Sequence, residues 1–418
     1  MIDLGKTGWL NEYIQYKKKD YERGAYAGLK RKRQHPDQAM YSIIQPTGIM
    51  YGYPVKALNS TELVDSDSHA KLLLMDTMLS SYFLTLENEG ESHVDYETTA
   101  LEGVNMIADF YNTIYKNLYT SRTNFFGRKR ADFDVLEMIL DKRINIKGTR
   151  TFWSVFFHRS LMFLDVYFFR QWVQTQRDKM VSEFLKTYKD DIRNDIVKVM
   201  AAAAHANEII EPEERQLFEL FISSQNFTAQ KRKEAIGYFE QGISVEDIPI
   251  PDEQSWLLKK YLLELAILTT WADKKIQDLE MDFLVNFNRR LGFVEEELEN
   301  SLIAIEGFVL EHWEYLEELL NRQDFEQVKH EYISRLEAVV NRNKPSLIKE
   351  IREHGDLPKI LEKARREELS LEEQDRIRQE LVDCLQSIPS FEIITLPKKF
   401  LSLKVLMEIL PNNIFKEV

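Results

Sequence analysis

A single cysteine, Cys384, in 418 residues excludes an intramolecular disulfide framework and any Cys-x-x-Cys metal or redox motif, and suits a reducing compartment. Glycine (15) and proline (11) are scarce for this length, which favours long helices. No stretch supplies the roughly 20 mostly uncharged apolar residues of a spanning helix. The nearest, Phe152 to Val173, is rich in aromatics but carries His158, Arg159, Asp165, Arg170 and Gln171. It reads as a buried helix of a soluble domain. The opening Met-Ile-Asp-Leu-Gly-Lys lacks the apolar core of a signal peptide, so a cytoplasmic protein is expected. A basic excess is missing too. The formal net charge of −14 argues against nucleic acid as a partner.

Recognisable chemistry is equally sparse. None of the eight histidines has Glu three residues before it, so the Glu-x-x-His di-iron motif is absent. No His-Glu-x-x-His and no Gly-x-Ser-x-Gly occurs. Gly5-Lys6-Thr7 mimics the end of a phosphate-binding loop without the required first glycine or a preceding strand. No catalytic residue and no cofactor site stands out, and a non-enzymatic protein is expected.

What the chain does have is a duplication. Ile196 to Phe239 recurs, 66 positions on, as Leu262 to Ile305 without a gap. Ala206, Ile210, Glu214, Phe221 and Phe227 return as Ala272, Ile276, Glu280, Phe287 and Phe293. Each copy begins with an apolar-periodic helix, Asp195 to His205 and Leu257 to Trp271. A turn of the form Ala-(Asn/Asp)-x-x-Ile-x-x-x-Glu comes next, then two further helices. Asn207 and Asp273 suit the turn backbone, and Glu214 and Glu280 fall in a helical first turn, where a negative charge complements the dipole. Ile210 and Ile276 are expected to point inward. One unit buries too little alone, so two close a core together.

This paired turn resembles the signature of the tellurite-resistance TerB family, over about residues 190–310. The resemblance implies a compact all-α domain whose turn acidic residues hold a divalent cation, calcium or magnesium. The candidate ligands here are Asn207, Glu214, Asp273 and Glu280. Asn207-Glu208 and Asp273-Lys274 stand where the family has Asp-Gly. Capping of helices by the same residues is the purely structural alternative.

The flanks read as helical as well. Residues 1–35 carry nine Lys and Arg against four Asp and Glu. That is either a patch for phosphate or anionic lipid, or a solvated helix face on an acidic body. Residues 36–60, punctuated by Pro36, Pro46, Gly48, Gly52 and Pro54, read as irregular. Helical periodicity then runs through Ser68–Glu87, Asp95–Tyr119 and Asp132–Lys142. Beyond Ile305 the chain stays helical and charged, broken at Pro345, Gly355 and Pro358, with a capping box at Ser370–Glu373.

The end changes character: Ile388-Pro389, Phe391, Leu396-Pro397, Leu403 and Leu410-Pro411-Asn412 form an apolar, proline-spaced tail. That rhythm is similar to a segment of the leucine-zipper/EF-hand mitochondrial inner-membrane family. Together with Gly8-Trp9-Leu10 and the TerB-like centre, it resembles a biofilm-associated group of Bacteroidetes proteins related to that family. The resemblance implies a setting near the inner membrane, in envelope, stress or biofilm processes.

We therefore expect an all-α, multi-helix protein in three parts. These are an N-terminal helical domain (1–185), a duplicated TerB-like domain (186–310) and a C-terminal helical region (311–418). The expected function is that of an interaction or scaffold protein with a protein partner, with a cation-responsive module as the alternative and an enzyme behind both. Peripheral membrane contact would run through Phe400–Leu410 or the basic N-terminal segment. Otherwise the tail folds back on the body and closes a groove between the first two domains.

Overall fold

The computed structural model describes residues 4–22, 36–51, 66–89, 95–124, 127–145, 160–175, 177–207, 215, 218–219, 222, 227–250, 255–270, 276–313, 322–364 and 370–410. Its elements are α-helices and short 3-10 turns. An isolated antiparallel bridge, Thr123 to Lys129, is the β contact among the described residues. The all-α expectation holds. The chain falls into two compact units, Met1–Phe283 and Leu284–Val418.

The first unit contains α1 (Trp9–Glu22), α2 (Pro36–Ile44), α3 (Ser66–Glu89), α4 (Tyr96–Ile114), α5 (Asp132–Ile144), α6 (Met162–Gln174), α7 (Lys179–Ala204), α8 (Ala229–Gln241), α9 (Trp256–Thr270) and the start of α10 (Asp278–Arg290). α6 is its spine. Met162 through Arg170, then Trp172 and Val173, are all buried, as expected of a helix apolar around its whole circumference. It lies against α3 and α7, and α7 packs along α8 and α9. Side chains close the helix ends. Asp178 caps α7 by accepting from the amides of Met180 and Val181, and Asp95 caps α4 through Thr98.

Two charges inside the aromatic helix are explained by their partners. Asp165, fully buried, accepts from Arg143 Nε (2.5 Å), Tyr111 Oη (2.8 Å) and Tyr115 Oη (2.7 Å). Burial, then the Asp165 charge, pushes both phenols well above their ordinary range. A buried carboxylate is tolerable when every lone pair is engaged in this way. Arg170, the second charge, is ion-paired with Asp37 of α2.

The N-terminal segment is fastened by charge as well. Glu137 of α5 accepts from the amides of Gly8 (2.9 Å to Oε2) and Leu10 (2.9 Å to Oε1), anchoring the start of α1. Lys71 donates to the Leu4 carbonyl (3.0 Å) and to Asp141 (2.8 Å), with its ammonium over the Trp9 ring. Lys17 pairs with Asp76 and Lys18 with Glu97, so this part of the basic segment lies on acidic neighbours. Lys30 to Arg33 lie outside the described residues.

Residues 36–60 are not uniformly irregular. Pro36 opens α2, and Pro46 enters a 3-10 turn at Gln45–Thr47. Proline is well placed in a helical first turn, where its missing N–H costs nothing. Met40, Tyr41 and Ile44 then drive the helix into the core.

The second unit holds the rest of α10, α11 (Glu295–Glu311), α12 (Arg322–Arg342), α13 (Lys344–Glu353), α14 (Leu357–Ala364), α15 (Leu371–Gln386) and α16 (Leu403–Ile409). Pro345 and Pro358 fall in the first turns of α13 and α14, and Gly355, with φ +48°, makes the bend between them. The expected capping box at Ser370 and Glu373 is present. The tail folds back on this unit, with α16 against α12 and α15, and the turn Pro389–Phe391 against α11 and α15.

Some helix boundaries recur at a 66-residue spacing. α7 ends at Ala204 and α9 at Thr270, while α8 begins at Ala229 and α11 at Glu295. Ile276 is only partly buried rather than enclosed, and Ile210 lies outside the described residues.

Candidate functional site

Of the four predicted cation ligands, Asn207 and Glu280 are brought together from residues 73 apart. Asn207 Nδ2 donates to Glu280 Oε1 at 3.1 Å, and the Gln277 amide donates to Glu280 Oε2 at 2.6 Å. Both side chains are buried. Glu280 thus closes the start of its own helix and ties it to the turn that ends α7. N–H donors face the carboxylate where a hard cation would ask for oxygen. This described pair forms a hydrogen-bonded cap. Glu214 and Asp273 lie outside the described residues. Among those described, no group of three His, Cys, Asp or Glu could hold a metal ion.

His205 ends α7, and its Nε2 meets the Phe239 carbonyl. It fastens α8 to α7. His158 lies outside the described residues.

One concavity of the first unit was not anticipated from the sequence. A cleft of about 540 Å³ opens between α2, α6, α7 and the segment leading into α9. α6 supplies Tyr167, Arg170 and Gln171; α7 supplies Phe184, Tyr188, Ile192 and Asp195; Asp37 and Ser255 complete the polar wall. Helical spacing explains the α7 contribution. Phe184, Tyr188 and Ile192 are four residues apart and share one face, which Met180 extends outward. The Phe184 and Tyr188 rings stack at 4.9 Å.

Most polar groups of the cleft are already engaged. Besides pairing with Arg170, Asp37 accepts through Oδ2 from the Leu257 amide (3.2 Å) at the start of α9. Tyr167 Oη meets Ser255 Oγ at 2.7 Å and accepts from Gln171 Nε2 at 2.7 Å. Burial raises the Tyr167 phenol above its usual range. Asp195 is held more loosely. Lys198 Nζ stands 3.6 Å away, and burial pushes the carboxyl up to about 6 despite that ammonium.

On another side of α9, Lys260 and Glu264 are buried 3.8 Å apart, and Tyr41 donates to Glu264 at 2.5 Å. The Lys260 ammonium also lies over the Tyr41 and Trp256 rings. This cluster ties α2 to α9.

Sequence reasoning missed the cleft because its residues come from four separated stretches. One signal was present in Arg170, an unexplained charge in the aromatic run. Another was the period-four apolar row from Met180 to Ile192, which lies outside the duplicated segment. No protein-family model, curated protein or solved structure matches this chain.

Proposed function

We propose that the protein is a non-enzymatic interaction protein that receives part of a protein partner in the cleft beside α7. One observation carries this reading. Met180 and Phe184 are 82% and 58% exposed, and they run directly into the cleft through Tyr188 and Ile192. An apolar row that leads from the surface into a polar-walled concavity is the usual form of a recognition site. The satisfied hydrogen bonds of Asp37, Arg170, Tyr167 and Ser255 favour a preformed receptor, which binds without first reorganising. The resemblance to the TerB family and to the biofilm-associated group supplies the setting: a cytoplasmic protein working near the inner membrane in envelope processes.

A photoreactive benzoylphenylalanine in place of Phe184, introduced into the full chain in its native host, tests the proposal. Leu371, 80% exposed in the second unit, serves as the control position. A discrete crosslinked species at 184 and not at 371 is expected. Equal labelling at both positions, or none at 184, would sink the reading.

A further inference from the structure

The cleft has a chemistry as well as a shape, and that chemistry narrows the class of partner, provided the cleft is an interaction site at all. Three acidic or basic side chains line it: Asp37, Arg170 and Asp195. The first two neutralise one another across a buried ion pair. Asp195 is the remaining charge of the lining, and its pairing with Lys198, at 3.6 Å, is the looser of the two ion pairs. Its neighbour Lys198 is not part of the lining, and its ammonium also lies over the Tyr238 ring at 5.7 Å, shared between two attractions.

Above Asp195, along the same face of α7, sits the stacked Phe184–Tyr188 pair. Aromatic faces attract cations, and they also cover the methylene stem of a long basic side chain. Ile192 and Ile250 extend the apolar lining. Gln171, another lining residue, donates through its nitrogen to Tyr167. The net charge of −14 would draw a basic partner in at long range.

We propose that the cleft reads a lysine or arginine side chain presented by a protein partner, with the cation at Asp195, its stem along Phe184 and Tyr188, and flanking apolar residues on Met180. The raised carboxyl of Asp195 agrees with this, because a partly buried acid whose one cation stands 3.6 Å away gains from a second, closer cation.

The test uses the full chain and a positional-scanning library of acetylated, amidated nonapeptides, with the central position fixed as Lys, Arg, Gln or Glu. Affinity is read by competition anisotropy. The Lys and Arg pools should bind about tenfold more tightly than the Gln and Glu pools, the scale of one charged contact of this kind. Asp195→Asn should erase the preference, and Asp195→Glu, which keeps the charge, should retain it even if the Asn variant melts early. Phe184→Ala should weaken all four pools together. Equal affinity of the four pools, no binding by any pool, or a basic preference surviving Asp195→Asn would overturn the proposal. So would spermidine or free arginine binding as tightly as the basic pools, which would make this a small-amine site. A specific crosslink at 184 without a basic preference would fell this inference alone; the loss of both results would fell the interaction role with it.

Discussion

At the scale of single residues, buried charge shows where stability resides. Asp165 and Arg143 form an enclosed pair with two phenols around it, whereas Lys18 and Glu97 form an exposed one. Asp165→Asn leaves the Arg143 guanidinium buried without its counter-charge, which should cost about 3–5 kcal/mol. The urea midpoint of the first unit reads this directly, and an unchanged midpoint would contradict the network. Lys18→Ala should leave the midpoint where it is. Glu306, on α11, behaves differently. Burial pushes its carboxyl up from 4.5 to about 7, although Arg335 Nε stands 3.0 Å away. Between those values the folded chain keeps a proton that the unfolded chain has lost, so stability falls as pH rises from about 4.5 through 7. His312 works the other way. Burial, and then Lys399, hold its imidazolium down from 6.5 to about 4, so the unfolded chain takes the proton first and stability rises with pH between them. Comparing wild type with Glu306→Gln isolates the first effect. Their stability difference should move by about 3 kcal/mol between pH 4.5 and 8, favouring the wild type at the acid end. A difference that is flat with pH would refute it.

At the scale of elements, much of the helical pattern was legible and the interhelical geometry was not. Ser370 and Glu373 announce α15 because a capping box is a local, three-residue rule. α2 was missed because Pro36 looks like a breaker unless its place in the first turn is known. Asn207 and Glu280 could be grouped from sequence because the resemblance of both turns to the TerB signature implies ligands in each. The cleft could not, since Asp37, Arg170 and Asp195 meet only through the crossing of α2, α6 and α7. Close approach has the same character. Gly103 reads as a weakness in α4, yet a Cβ there would stand 2.7 Å from Leu79 Cδ1 and 3.0 Å from Tyr82 Cδ1. Both neighbours are buried and cannot swing aside. Alanine in a helix interior gains about 1 kcal/mol over glycine, while overpacking a core costs about 1–3 kcal/mol. Gly103→Ala should therefore lower the melting temperature. A raised melting temperature would show that α3 and α4 are not in contact at this point.

At the scale of the whole chain, the question is what the apolar tail is for. Among the described residues no helix is long and apolar enough to cross a membrane. The tail carries ten apolar side chains that are almost wholly enclosed, from Ile388 and Phe391 through Leu401 and Leu406 to Leu410. Their cover is α11, α12 and α15 of their own unit, in place of the expected groove between the first two domains. Three contacts fix the strap between Leu396 and Ser402. Glu311 accepts from the Lys399 amide at 2.8 Å, Arg378 donates to the Lys398 carbonyl at 2.9 Å, and the Phe400 ring meets Tyr332 edge-on. Gly307 leaves room for Pro397, since a Cβ there would come within 3.2 Å of its ring. An amphipathic segment waiting for lipid would need none of this fitting. Each buried side chain of this size contributes roughly 1.5–3 kcal/mol, so the gross contribution of the set exceeds the net stability of an ordinary domain. Deletion from Ser387 onward should therefore make the second unit melt early or aggregate, and the intact protein should stay at the bottom of a flotation gradient with anionic liposomes. If the truncated chain instead kept its melting temperature while the intact one floated, the tail would be a membrane element that only rests on α12 and α15, and the cationic side chains of Lys398, Lys399 and Lys404 would be its headgroup contacts.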